Sequence, residues 1–126
     1  MLKITYLEDE INLEYLPKSV EVWKTERILV NLRAAVKVYT ESSIATLVLP
    51  VNFSILQGLK NLANKGLIEI IPCDEEYVEV SFSGTWISQT EEHDSGIFVC
   101  ELDRDSEYFL HQLWQESQLG TSVVSE

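Results

Sequence analysis

Alternation of apolar and polar positions is the main pattern of this chain, and a period of two residues is typical of β-strands. The longest such run is residues 26–40, where every even position from 28 to 38 is apolar. Ile28, Leu32 and Ala35 would also share one face of a helix. The frequent β-branched residues favour a strand, bent near residues 33–35 because the run is long.

Shorter stretches show the same pattern or a short apolar run, and most end at a proline, a glycine or a polar group. They predict strands over residues 2–7, 11–16, 19–23, 44–49, 67–71, 77–82, 85–88 and 97–102. A turn is predicted at residues 41–43, and another at Ser83–Gly84. The second turn would fold residues 77–82 and 85–88 into two paired strands.

Two segments have helical spacing instead. Ser54 and Gln57 fit a capping box at the start of the first helix, and residues 64–66 form a stop that ends on Gly66. Gly58 inside this helix indicates close packing against a neighbour. Residues 103–106 begin the second helix with acidic side chains at its positive end, and Gly120 is its predicted end.

These elements predict an α+β domain: a largely antiparallel sheet of about six to eight strands with two helices packed on one side. Residues 44–71 could add one parallel pair through a crossover. A chain of 126 residues is the size of a single domain, predicted here as residues 1–120 with a loose tail at 121–126. The predicted core includes Val30, Leu32, Leu59, Val80, Phe82 and Leu113.

Composition is that of an ordinary globular protein, with 45% hydrophobic residues. No apolar run has the length of a membrane span, and the first residues lack the apolar region of a secretion signal, so a cytoplasmic location is expected. Cys73 and Cys100 stand alone, without a Cys-x-x-Cys pair or a basic neighbour. They are expected to be free structural thiols.

Charge is the least ordinary property of the sequence, with a formal net value of −12. This balance argues against nucleic acid and anionic membranes as ligands. Residues 66–126 contain one basic residue, Arg104, and fourteen acidic ones. Five of the nine basic residues fall in one stretch: Lys18, Lys24, Arg27, Arg33 and Lys37. The acidic half serves either solubility or the recognition of a cationic partner.

Motifs for chemistry are weak, and no cofactor is predicted. Asp103, Asp105 and Glu107 have the spacing of a calcium loop, but the glycine and glutamate required later in that loop are missing. A capped helix start explains the three residues better, and no metal site is predicted. His93, Asp94 and Ser95 are adjacent, and adjacent residues of one loop cannot form a hydrolytic triad.

The sequence therefore favours a non-enzymatic binding or regulatory protein that acts through protein–protein contacts. One version is an acidic inhibitor or immunity-type protein that covers a basic partner, and a homodimer is a further option. The alternatives are a Ca²⁺-binding protein that uses carboxylate loops and an enzyme whose pocket is assembled from scattered residues. The predicted partner-binding residues are Asp74, Glu75, Glu76, Trp86, Glu91, Glu92 and Asp94.

A topological argument groups the acidic residues of this set. If residues 77–82 and 85–88 are two strands joined by a turn, the chain returns to the end where it began. Residues 74–76 and 91–94 would then share one edge of the sheet, away from the basic stretch at 18–37.

Overall fold

A computed structural model describes residues 1–8, 10–50, 53–90 and 95–125, with side chains described except at residues 53–55 and beyond residue 116. These ranges contain six strands and three helices. In chain order they are β1 (Leu2–Leu7), β2 (Glu10–Tyr15), α1 (Val20–Arg33), β3 (Tyr39–Pro50), α2 (Phe53–Asn64), β4 (Glu69–Pro72), β5 (Tyr77–Ser88), β6 (Gly96–Cys100) and α3 (Arg104–Ser125).

All pairings within the described strands are antiparallel, in the order β2-β1-β6-β5-β3. The long strand β5 organises the sheet. One edge pairs with β3 along its full length, while the other edge pairs first with β4 and then with β6. The predicted α+β class is confirmed. The predicted parallel pair is wrong, because β5 lies between β3 and β4 and pairs antiparallel with both.

The main core lies on one face of the sheet. Alternate residues of the strands, such as Ile4, Val80 and Phe98, pack there with Leu59 of α2 and Leu113 of α3. Val80, Phe82, Leu59 and Leu113 are all buried, as the sequence predicted.

A second, smaller core lies on the opposite face, where Met1, Trp23, Ile87 and Val99 meet. Trp23 belongs to α1, and Ile87 and Val99 point away from the main core because side chains alternate along each strand. Helices therefore cover parts of both faces. The sequence predicted two helices on one side of the sheet, whereas the described residues form three helices, on both sides of it.

Helix α1 overturns the strands predicted at residues 19–23 and 26–40. Ser19 begins it, since its hydroxyl accepts a hydrogen bond from the Val22 amide at 3.2 Å. Val30 and Leu32 are 59% and 62% exposed, so their predicted burial is wrong. Helix α1 buries only Trp23 and Asn31, and its other apolar residues gave the alternation by coincidence.

The predicted turn at Ser83–Gly84 is also wrong, because β5 passes straight through these residues. Gly84 is needed for close packing rather than for a turn. A Cβ atom at this position would lie 2.3 Å from the Val99 carbonyl oxygen and 2.6 Å from the Phe98 ring. Likewise, residues 41–43, predicted as a turn, belong to β3.

Glycines of helix α2 follow the sequence prediction. Gly66 has a φ of +76° just after the helix, a conformation that favours glycine. Gly58 faces the ring of Phe109 on α3, and an added Cβ would lie 2.5 Å from it.

The backbone of α3 continues to Ser125, past the end predicted at Gly120. The looseness of residues 121–126 stays a prediction.

Candidate functional site

The acidic residues 74–76 form the tight connection between β4 and β5. One carboxylate oxygen of Asp74 accepts hydrogen bonds from the amides of Glu76, at 2.7 Å, and Tyr77, at 2.9 Å. Asp74 therefore shapes the turn, while Glu75 and Glu76 are exposed. Glu91, Glu92 and Asp94 lie outside the described residues.

The argument that residues 74–76 and 91–94 share one edge fails. Strand β5 is one strand of 12 residues, so the chain enters it after Glu76 and leaves it at Gln89 at the other end. At about 3.3 Å per residue these ends lie roughly 36 Å apart. The grouping depended on a turn at Ser83–Gly84. The structure has a continuous strand there, and Gly84 serves close packing instead.

Trp86 is 8% exposed and belongs to the main core. Its ring lies 5.5 Å from that of Tyr6, in a tilted arrangement. The burial removes most of the ring from the surface that a partner could contact.

Two of the three weak metal candidates, Asp103 and Glu107, have structural roles, and Asp105 is exposed. Asp103 caps α3, because its two carboxylate oxygens accept bonds from the amide and the hydroxyl of Ser106, both at 2.8 Å. These bonds hold the pKa of Asp103 below its usual value. Glu107 is buried and binds the amino group of Met1 at 3.0 Å. Within the described part of the chain, no three His, Cys, Asp or Glu side chains gather as a metal site.

Both cysteines are free, as predicted. Burial, followed by the charge of Glu107, raises the pKa of the Cys100 thiol to about 12. Desolvation, followed by the carboxylates of Glu79 and Asp74, raises the pKa of the exposed Cys73 thiol. Thiols with raised pKa values are weak nucleophiles at neutral pH.

The described ion pairs of the basic stretch are local. Lys18 pairs with Glu26 at 3.0 Å, and Lys24 pairs with Glu21 at 3.3 Å. Among the described residues, no ion pair joins the basic stretch to residues 74–76. The separation of the basic stretch from the acidic set stays a prediction.

The described helices leave half of one sheet face uncovered. Helix α1 packs beside β1, β6 and the end of β5. On the same face, three aliphatic side chains of β3 and β4 are exposed: Ile44 at 69%, Val48 at 57% and Ile71 at 44%. We call this surface the open sheet face and define it as Ile44, Thr46, Val48, Glu69, Ile71, Glu79 and Ser81.

Register places six residues of the open sheet face in two rows, and Ile44 lies beyond them, opposite Ser83. Val48 lies opposite Glu79, which lies opposite Ile71. The next row is Thr46, Ser81 and Glu69, with the hydroxyls of Thr46 and Ser81 3.0 Å apart. The face thus combines an aliphatic surface with two carboxylates.

The carboxylates of the open sheet face have no cationic partner among the described residues. Neither Glu69 nor Glu79 takes part in an ion pair. Glu79 is half-buried between Val48 and Ile71, while Glu69 is exposed. A negative charge flanked by aliphatic side chains is suited to a cation that brings its own apolar stem, as Lys and Arg do.

A separate pocket of about 280 Å³ lies at the other end of the sheet, below α1. Arg27 and Asn31 line one wall, and Thr5, Ile87 and Ile97 line the sheet side. This pocket contains polar groups of several kinds but no described carboxylate.

Comparison with family models matches residues 1–118 to the family described as Alr0857-like. The chain belongs to the Alr0857-like family. No curated protein and no solved structure matches it. The family description states no activity, so the function of this Alr0857-like chain is argued from its own geometry.

Sequence reasoning missed the open sheet face of this Alr0857-like protein. Glu69 and Glu79 belong to the acidic half, but their places opposite Ser81 and Ile71 depend on the β4–β5 register. Val48 lies in the strand predicted at residues 44–49, an apolar run that gave no sign of an exposed face. The alternation of polar and apolar residues in Glu79–Ser83 could have indicated this surface. The polar face of such a strand can remain exposed to solvent.

No helix in the described ranges is long and apolar enough to cross a membrane.

Proposed function

We propose that this protein is a non-enzymatic binding protein whose open sheet face docks a basic partner protein. The observation that carries the proposal is the row Val48–Glu79–Ile71, in which a carboxylate lies between two exposed aliphatic side chains. Exposed apolar surface with a polar rim is typical of protein interaction sites.

Charge supports a basic partner rather than a neutral one. Glu69 and Glu79 lie in adjacent rows of neighbouring strands, and their mutual repulsion costs stability in the free protein. Lys or Arg side chains of a partner would remove that repulsion and speed the encounter through the net charge of −12.

The same charges argue against a homodimer formed by two open sheet faces. Stacking two copies would bring Glu69 and Glu79 of one toward the same residues of the other, and like charges across an interface cost several kcal/mol. A homodimer through the free edge of β3 would avoid this clash. A measurement of oligomeric state must therefore distinguish such a homodimer from a complex with a basic partner.

The open sheet face is the centre of an interface rather than the whole of it. Three strands about 4.8 Å apart and some 15–20 Å long present roughly 200–300 Å². A stable interface buries about 800 Å² on each partner. The acidic turn at residues 74–76 directly continues from β4 and β5 and would extend the contact with further negative charge.

The calcium-binding alternative has less support. Asp103 and Glu107 use their carboxylate oxygens on backbone amides, a hydroxyl and the amino group of Met1. Binding calcium would require these bonds to break.

A paired set of charge variants tests the proposal. The double variant Glu69→Gln and Glu79→Gln removes two charges from the open sheet face. The matched control, Glu10→Gln and Glu116→Gln, removes two charges from exposed positions on β2 and α3. Each protein is immobilised and used to capture partners from the native extract at about 50 and 300 mM salt, concentrations that span the physiological screening length.

The proposal expects a basic protein that is captured by the wild type and the control, released by high salt, and lost with the double variant. Equal capture by both variants would overturn it. Sedimentation of the purified wild type, performed in parallel, shows whether the captured species is instead a second copy of this chain.

A further inference from the structure

The pocket below α1 is built from the second half of the helix and one end of the sheet. Thr5, Ile97 and Ile87 lie side by side on β1, β6 and β5, and they form its floor. Arg27 and Asn31 are four residues apart on α1, so both face the same side of the helix and form its wall. The pocket therefore has an apolar floor and a polar wall.

Asn31 is the first sign that the pocket is a binding site. The residue is only 8% exposed, yet its carboxamide forms no hydrogen bond with any described residue. Its backbone carbonyl accepts a bond from the Val36 amide at 2.8 Å and so helps to end the helix. The carboxamide atoms are not enclosed by the protein, so they are open to a ligand in the pocket.

Arg27 is the second polar residue of the wall. Like Arg33, it is exposed and forms no ion pair with any described residue, so its guanidinium group is available to a ligand. Its guanidinium group presents parallel N–H donors that match the two oxygens of a carboxylate. Arg27 and Asn31 together therefore offer several donors to an oxyanion.

We infer that this pocket binds a small organic monocarboxylate with a short aliphatic body. Its carboxylate accepts hydrogen bonds from Arg27 and Asn31, and its aliphatic part packs on Ile87 and Ile97. A single cation balances one negative charge better than the two of a phosphate group. A volume of about 280 Å³ is equivalent to roughly nine water molecules at 30 Å³ each, which limits the ligand to a small molecule.

The site is separate from the open sheet face, since it lies at the opposite end of β5 and carries the opposite sign of charge. Its test uses hexanoate as the probe, with n-hexylamine, 1-hexanol and inorganic phosphate as comparisons of charge and shape. Each is titrated into isotope-labelled full-length protein, and backbone amide shifts are followed by NMR. Arg27→Gln removes the charge from the wall, and Arg33→Gln removes one from the same helix outside the pocket.

The inference expects saturable shifts with hexanoate, centred on the amides of Asn31, Ile87 and Ile97. Arg27→Gln should weaken hexanoate binding at least tenfold, and Arg33→Gln should change it by less than twofold. No saturation with hexanoate up to 20 mM overturns the inference. Tighter binding of hexylamine or hexanol overturns it too, because the carboxylate would then not be recognised. If phosphate binds as tightly as hexanoate, the claim that the pocket recognises an aliphatic body is overturned. If Arg27→Gln and Arg33→Gln weaken hexanoate binding equally, the role of Arg27 is overturned.

Discussion

The amino group of Met1 and the carboxylate of Glu107 lie 3.0 Å apart, and both groups are buried. The amino group also donates hydrogen bonds to the carbonyls of Leu16 and Lys18, at 2.7 and 3.1 Å. The second oxygen of Glu107 accepts a bond from the Leu102 amide at 2.8 Å. This network ties α3 to the start of β1 and to the segment before α1.

Removal of Glu107 should therefore be costly. Glu107→Ala leaves a buried positive charge without its partner, and the free energy of unfolding should fall by about 3–5 kcal/mol. Urea unfolding measures this loss. Glu116→Ala, at an exposed position on the same helix, is the control and should change stability by no more than about 0.5 kcal/mol. Equal effects would contradict the buried ion pair.

Two leucines test the assignment of α1. Leu113 is 5% exposed, whereas Leu32 is 62% exposed. Leu113→Ala should lower the free energy of unfolding by about 2–5 kcal/mol. Leu32→Ala should change it by about 0.5 kcal/mol or less, because little apolar surface is lost from the interior. Denaturant unfolding of both variants measures these changes. A large loss of stability for Leu32→Ala would contradict the helix and favour the strand predicted at residues 26–40.

The cap of α3 provides a prediction with a pH dependence. Asp103→Ala should cost about 0.5–2 kcal/mol at neutral pH, since it removes the acceptor for the Ser106 amide. The hydrogen bonds from Ser106 lower the pKa of Asp103 in the folded state. The stabilisation is therefore complete above the unfolded pKa of about 3.9 and is lost as pH falls through the lower folded value. A gap between wild type and variant that stays constant from pH 7 to pH 2 would contradict this.

Cys100 gives the opposite dependence at high pH. Burial raises the pKa of its thiol to about 12, so the folded state keeps a proton that the unfolded state loses near pH 9. Stability should fall above that pH by up to about 1.4 kcal/mol per pH unit. Cys100→Ala should flatten this slope. Chemical unfolding between pH 8 and pH 10.5 measures it, and parallel slopes for both proteins would exclude the buried thiol as the cause.

Local pattern was sufficient for the parts of the fold where one face is buried and the other is not. Val80 and Phe82, on one face of β5, are buried as predicted. It failed at α1, because a helix that buries only Trp23 and Asn31 has almost no apolar stripe. It failed again at Gly84, since the atoms that exclude a side chain belong to β6, remote in sequence.

The candidate surfaces were still less accessible to sequence reasoning. The acidic half was identified, but the carboxylates of the proposed docking surface, Glu69 and Glu79, were not among the predicted partner-binding residues. Their proximity to Val48 follows from strand register, which a single sequence does not specify. The pocket below α1 depends on a helix that the sequence pattern concealed.

Site-specific photo-crosslinking tests the central proposal most directly. A photoreactive amino acid replaces Val48 on the open sheet face or, as the matched control, Val22 on α1. These residues are of one type and similarly exposed, at 57% and 52%. After irradiation in the native cells, the proposal predicts a covalent adduct with one basic protein from position 48 and none with that protein from position 22. An adduct from position 22 alone, or no adduct from position 48, would contradict the assignment of the open sheet face as the partner-binding surface.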